Sequence, residues 1–175
     1  MNGPEAIPLV EGLVGSVLRE TSDTANTVPQ EAAYWLETVK RSIRRLPVGA
    51  DVRMVGVNLD AAGDTVDFST AALNRLLGIV VRNGDAETNY FRLHWTPASV
   101  ASTSHVGALM LNLPVAARVA ANQPTYRFVA WPGGLDMTFT SGAAAGLSMY
   151  ASDNVTPTQA GTAVADGSAW AVFTV

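Results

Sequence analysis

The stretch Leu76 to Trp95, LLGIVVRNGDAETNYFRLHW, leaves a chain few ways to fold. Leu77, Ile79, Val80 and Val81 form an apolar run rich in β-branched residues. Asn83-Gly84 follows, and both residue types tolerate the positive φ of a tight turn. Asp85 to Asn89 is polar and widens the loop. From Tyr90 to Trp95 the chain alternates. Phe91, Leu93 and Trp95 point one way, and Tyr90, Arg92 and His94 the other. The spacing predicts two strands joined as an antiparallel pair with one face in a core.

Similar runs fill the rest of the chain from residue 48. Asp51 to Leu59 alternates, DAAG at Asp60 to Gly63 turns the chain, and Val66 to Ser69 is a short strand. Thr70 to Arg75 reads as a helical turn. Val106 to Val115 is a strand that Pro114 places at an edge or an end. Tyr126 to Trp131 is another, and Pro132-Gly133-Gly134 is expected to turn it back into Leu135 to Thr140. Gly146 to Ala151 and Ser168 to Val175 complete the set, with a long polar loop over Ser152 to Ala165. Strands at roughly ten-residue spacing predict a mainly β fold, an antiparallel β-sandwich or jelly roll over residues 48–175.

Ahead of it, residues 28–47 predict an amphipathic helix. Thr27 and Gln30 have capping-box spacing, and Pro29 stands in the first turn. Ala32, Leu36, Val39, Ile43 and Leu46 make one apolar stripe, which Trp35 widens. Lys40, Arg41, Arg44 and Arg45 fill the last turns, where the helix dipole favours cations, and Pro47 stops the helix. Residues 1–27 read as an N-terminal arm and linker. Leu9, Val10, Leu13, Val14, Val17 and Leu18 recur at helical spacing, but Gly12 and Gly15 interrupt them. Two readings stay open: a short helix packed on the domain, or a segment that orders only against a neighbouring subunit.

Composition narrows the function classes. A net charge of −4 leaves no global footprint for nucleic acid. The basic run KRSIRR lacks the interleaved aromatics of a single-strand platform. The chain has no cysteine, which excludes disulfides and thiolate metal sites. No apolar run is long enough to span a bilayer, and the start lacks the basic region of a signal peptide, so synthesis in a cytoplasm is expected. Charged residues are only 15% of the chain, and a surface rich in Ala, Gly, Ser and Thr suits contact with partners.

The residues of chemistry are scattered. His94 lies on the polar face of a strand and His105 in a Ser/Thr-rich loop, so each reads as a surface or interface histidine. Asp64 and Asp67 are close in sequence, but a pair around a turn is weak ground for acid–base work. Asp60, Gly63 and Asp64 do not fit a calcium loop, and there is no nucleophile elbow, Walker loop or dinucleotide fingerprint. The sequence predicts no enzyme, no cofactor and no metal. Trp95, Trp131 and Trp170 fall on strands as core residues, and a row of them exposed would instead suit sugar binding.

From residue 76 to 175 the chain resembles small structural proteins encoded in tailed-phage genomes. The shared run begins with LLGIVVRN, a short loop, YFRLHW and the small-residue segment TPASVASTS. A strand ending in LPV follows, then GGLDMTFTSGAAAGLSMYA and the polar stretch TPTQAGTAVADGSA before a last strand. His94-Trp95 departs from the tyrosine-containing strand end usual there. The resemblance implies a jelly-roll component of a virion. Its first implication is a capsid decoration (cement) protein on the capsid surface, bound to the major capsid protein and to copies of itself as a trimer, with no nucleic-acid or membrane partner. In that reading Trp35, Leu36, Val39 and Ile43 are partner anchors, Arg41, Arg44 and Arg45 rim charges, and Leu9, Leu13 and Val17 the contacts of the arm. A neck, tail or fibre component is the alternative, and a carbohydrate-binding sandwich for host attachment a second.

Overall fold

A computed structural model describes residues 1–21, 27–59, 66–69, 73–96, 108–137, 146–156 and 164–175. Two helices lead, α1 (Gly3–Glu20) and α2 (Thr27–Arg44). The described strands are β1 (Val52–Asn58), β2 (Val66–Ser69), β3 (Arg75–Asn83), β4 (Asn89–Thr96), β5 (Ala108–Val115), β6 (Thr125–Asp136), β7 (Gly146–Ser152) and β8 (Gly167–Thr174). They form two four-stranded antiparallel sheets, β1-β8-β3-β6 and β2-β7-β4-β5.

That order has a simple origin. β1 pairs with β8, β2 with β7, β3 with β6 and β4 with β5, as in one long folded-back ribbon. Rolling the ribbon brings β8 against β3 and β7 against β4. This is a jelly roll, a way of using antiparallel strands that leaves only a few edges.

The expected pairing of the two central strands is corrected here. β3 and β4 do not bond to each other. β3 lies between β8 and β6 in one sheet, and β4 between β7 and β5 in the other. The polar loop after Asn83 carries the chain from one sheet to the other. A local turn signal marks a reversal, but packing decides whether the strands it joins stay in one sheet.

The core between the sheets is apolar. Leu76, Ile79, Val81, Phe91, Leu93, Leu147, Met149, Ala169, Ala171 and Phe173 are buried there. A second core lies on the outer face of the first sheet, beneath the helices. Val10, Val14 and Val17 of α1 and Trp35, Val39 and Ile43 of α2 pack on Leu77, Val80, Tyr126, Phe128 and Val172. The order of layers is therefore helices, sheet, sheet. β3 is buried on both faces, and so its sequence runs LLGIVV without alternating.

Residues 3–20 form a helix that is part of this second core, so the packed form of the two open readings is the one observed. Gly12 and Gly15 stand away from the core, on the open and half-open side of the helix. Val10, Val14 and Val17 make the stripe that meets α2 and the sheet. A salt bridge of 2.7 Å from Lys40 to Glu11 joins the helices at their rim.

The expected turn at Pro132-Gly133-Gly134 is also corrected. β6 runs through it as one strand, and residues 131–134 bulge opposite Leu77. Gly133 and Gly134 take φ of 78° and 80°, a region that glycine enters without strain. The bulge is docked on its neighbours. The Gly133 N–H donates to Ser42 Oγ of α2 at 3.0 Å, and its carbonyl accepts from Arg75 at 2.9 Å. Two glycines here shape a bulge beneath a helix instead of reversing the chain. Asp60 to Asp64, Thr70 to Ala72, His105 and residues 138–140 of the strand expected over Leu135 to Thr140 lie outside the described residues.

Candidate functional site

The residues expected to meet a partner divide into two groups. Trp35, Val39, Ile43 and Val17 are at most 2% exposed, and Leu13 is buried beside them. All five are in the helix-covered core of their own chain, so in this conformation they are not available to another. The cause is the outer face of the first sheet, which is itself apolar and draws the stripes of both helices inward. Leu36 is half-buried at the margin of that core. Leu9, Arg41, Arg44 and Arg45 are exposed. With Leu18 and Tyr34, also exposed, they mark the outer side of the helix layer as the part that can meet a partner.

Trp35 fixes α2 on the sheet. Its indole N–H donates to the Val129 carbonyl at 3.0 Å, and its ring meets Phe128 at 5.9 Å in a tilted arrangement. Gly78 makes the approach possible by having no side chain under the ring. The end of α1 is fixed by a polar cluster. Arg82 reaches Glu20 at 3.1 Å and Asp166 at 2.5 Å, and Tyr126 donates its hydroxyl to Glu20. Burial works against the Arg82 charge, but its hydrogen bonds to Asp166 and Glu20 outweigh that and hold the guanidinium firmly protonated. Burial and then the Glu20 carboxylate push the Tyr126 hydroxyl well above the usual phenol range.

The outer face of the second sheet is less ordinary. Arg92 of β4 stands opposite Tyr150 of β7, and His94 opposite Ser148. Their alternation with Phe91 and Leu93 is as the sequence predicts, yet the face is not open to water. Arg92, Ser148 and Ser152 are 0% exposed, Tyr150 1% and His94 4%. The expectation of a surface or interface histidine at His94 is thus corrected to a buried one: the outer face of the second sheet is buried at β4 and β7, while Asn112 and Pro114 of β5 are exposed and Tyr90 is half-buried. The polar pattern marked a face but not its exposure.

Arg92 uses its burial to gather chain. It donates to Asn112 Oδ1 of β5 at 3.2 Å, to Ser152 Oγ at 3.0 Å, and to the Asn154 carbonyl beyond β7. Its guanidinium also lies 5.7 Å from the centre of the Tyr90 ring. Among the described residues no carboxylate is paired with it, and burial depresses its tendency to stay charged. The acceptors around it are neutral and come from β5, β7 and the following segment. The cluster is built to hold those pieces together.

The end of the roll near Asn83 is closed by a further network. Asn83, fully buried, donates to the carbonyls of Glu87, Val115 and Ala116, and accepts from the Asp85 amide and the Asn89 side chain. Asp85 accepts from the Ala165 amide at 3.0 Å, which is the largest of the contacts holding its carboxyl below the usual range. The loops after β3, β5 and β7 are thereby tied into one end. Sequence reading saw Asn83 only as half of a turn signal. Its side-chain role had no local signature.

Among the described residues no group of three or more His, Asp or Glu could hold a metal ion. No described helix is long and apolar enough to cross a membrane. Of the described tryptophans, Trp35 is buried, and Trp131 and Trp170 are half-buried against the two cores. They do not form an exposed row.

Fold and surfaces together define a jelly roll of eight described strands with an apolar interior and a two-helix cover on one sheet. No protein-family model and no curated protein matches the sequence. Among solved structures, the chain is similar to one in the Gx strain of infectious bursal disease virus. The identity is 16% and the TM-score 0.32, over 72% of this chain and 33% of that one. It is also similar to one in a subviral particle of the same virus, at 15% identity and TM-score 0.30, over 73% and 34%. A third is from desmodium yellow mottle tymovirus, at 14% and 0.25, over 74% and 85%. The chain spans about a third of the length of the infectious bursal disease virus chains. Overlap at this level transfers no function.

Proposed function

We propose that this chain is a structural component of a virion, and specifically a capsid decoration (cement) protein. The observation that carries the reading is the rolled ribbon of eight strands closed around an apolar interior. Jelly rolls serve as capsid subunits, as lectins and as cupin-type enzymes. A cupin-type enzyme works with polar residues inside its roll, where the described core of this one is made of buried Leu, Ile, Val, Phe and Met side chains. A lectin of the kind the tryptophans suggested needs them exposed, and the described ones are not. A structural role uses the outside of the module, which is where the unspent features lie. The resemblance of residues 76–175 to tailed-phage structural proteins points the same way.

In this reading the outer side of the helix layer meets the shell. Leu9, Leu18 and Tyr34 supply apolar contact, with Arg41, Arg44 and Arg45 as rim charges toward an acidic capsid surface. The protein acts as a trimer over junctions between copies of the major capsid protein. No chemical step, cofactor or metal is involved.

The test is copy number per purified particle, by quantitative mass spectrometry against the major capsid protein. A ratio near one, or a simple fraction such as one third, is the expected result. A few copies per particle would move the chain to the neck, tail or fibre. Absence from particles would end the virion reading.

A further inference from the structure

The two described sheets end in edge strands, β1 and β6 in one and β2 and β5 in the other. An open edge invites a further strand, and β2, β5 and β6 are each guarded against it. β2 is four residues long and slips register against β7. β5 carries Pro114 and slips against β4. β6 bulges at Pro132-Gly133-Gly134, where α2 docks on it. β1 has none of these guards. It runs seven residues in unbroken register with β8 and without proline. Its one charge, Arg53, is held by Asp51 at 3.2 Å.

Hydrogen bonds show which way the β1 backbone faces. The Asp51 carbonyl accepts from the Val175 amide at 3.1 Å, and the Leu59 amide donates to the Gly167 carbonyl at 2.9 Å. Odd-numbered residues of β1 therefore face β8. The Val52 amide donates to the Met1 carbonyl at 2.8 Å, on the outer side, and Asn2 bridges Asp51 there in antiparallel sense. The edge thus already takes a fragment of antiparallel backbone at Val52. Beyond it the N–H and C=O groups of Met54, Gly56 and Asn58 point outward, and no described residue bonds to them. Gly56 and Asn58 are exposed, and Met54 is half-buried.

We propose that this edge pairs with the same edge of a second copy of the chain, antiparallel, about a two-fold axis at Gly56. Two four-stranded sheets then become one continuous sheet. A two-fold axis turns each outward N–H toward a C=O of the partner, so the edge is its own complement. The register follows from the occupied end. With Val52 taken, only the register that sets Gly56 opposite itself uses all of Met54, Gly56 and Asn58, with Met54 opposite Asn58 of the second copy. It forms about six hydrogen bonds. Val55 and Val57, half-buried at the margin of the inter-sheet core, then face each other across the junction and extend that core. Arg53 falls opposite Leu59, so like charges do not meet.

Glycine at the axis fits the same geometry. A Cβ on Gly56 would lie 2.7 Å from Trp170 Nε1, so the indole already reaches over this residue on the helix side of the sheet. Pairing brings the two indoles toward each other over backbone with no side chain between them. The contact goes beyond the virion reading and does not depend on it. It is a property of the free chain, separate from the trimer proposed for the shell, and it stands even if the chain is absent from particles.

The experiment is sedimentation velocity of the full chain from micromolar to millimolar concentration, joined to cysteine cross-linking. Wild type is expected to form a dimer. Asn58→Pro removes an outward N–H and puts a ring in its place, and should raise the dissociation constant about tenfold or more. Proline is tolerated on an edge strand where its nitrogen faces solvent, so the melting curve should stay near that of wild type. The chain has no cysteine, so introduced ones report without interference. Met54→Cys mixed with Asn58→Cys should oxidise chiefly to the mixed dimer, because the register sets those Cα atoms about 5.5 Å apart. Either variant alone should cross-link far less. The cross-link decides by itself should Asn58→Pro lose its fold. A wild type that stays monomeric, a folded Asn58→Pro that dimerises as wild type does, or cross-links with no preference for the mixed pair would each overturn the proposal.

Discussion

A Cβ placed on Gly78 would lie 2.6 Å from Trp35 Nε1 and 2.9 Å from Val39 Cγ2. The indole of α2 therefore sits directly on the backbone of the central strand, which has a glycine where a side chain would lift the helix away. The cost of that arrangement is borne by β3, since glycine is a poor strand former. The gain is a close helix–sheet contact, in which the indole N–H satisfies the Val129 carbonyl of the neighbouring strand.

Gly78→Ala should destabilise the fold by about 1–3 kcal/mol, since the contact is with a packed ring and a β-branched side chain that have nowhere to move. Urea unfolding checks it. A change of a few tenths would show that the helix layer yields easily and is not a fixed part of the core.

Trp35→Ala should cost about 3–5 kcal/mol, the range for emptying a large aromatic site. Trp35→Phe keeps most of the packing and loses the bond to Val129, leaving that carbonyl short of a donor, for about 1–3 kcal/mol. The order of the two variants in chemical denaturation is the prediction, and equal losses would contradict the role given to the indole N–H.

A chain shortened to residues 22–175 should lose cooperative unfolding or fail to stay soluble. Removing α1 takes Val10, Val14 and Val17 out of the core they share with Trp35, Val39, Leu77 and Val80 and opens that core to water. Circular dichroism melting and light scattering measure this. A soluble truncated chain that melts like wild type would mean that α1 is an accessory to the core and not part of it.

Arg92→Met should destabilise by about 1–3 kcal/mol, because Ser152 loses a donor in a buried setting and Asn112 and the Asn154 carbonyl lose theirs in part-buried ones. Arg92→Lys should not restore the loss, since one ammonium cannot reproduce a planar fork serving three acceptors. Hydrogen exchange should rise at residues 152–156 in both. Recovery with lysine would mean that the charge alone matters.

Asp85 gives a pH signature. Its carboxyl is held below the usual range by the Ala165 amide first, so its folded pKa is depressed. A depressed carboxylate contributes stability that is complete above its unfolded pKa, about 3.9, and fades as pH falls through the lower folded value. Asp85→Asn should therefore melt lower than wild type at pH 7, and the gap should narrow as pH falls below about 4. A gap independent of pH would assign the effect to something other than ionisation.

The sequence by itself determined where most elements lie and which residues share a face. The stripe of α2, the strand at Val66–Ser69, the alternation of Phe91 and Leu93 with Tyr90, Arg92 and His94, and the last strand were all legible, since a period of 2 or 3.6 is a local property of the chain. Only the tertiary structure decided what covers each face. Periodicity could not tell that Arg92 and His94 are buried on the polar face of β4, or that the anchors of α2 meet their own sheet. It could not send β3 and β4 into different sheets or turn Pro132-Gly133-Gly134 into a bulge. Those outcomes come from contacts between residues far apart in the chain, such as Trp35 with Val129 and Arg82 with Asp166. A local pattern sets the direction of a side chain, and the whole set of packed elements sets what it meets.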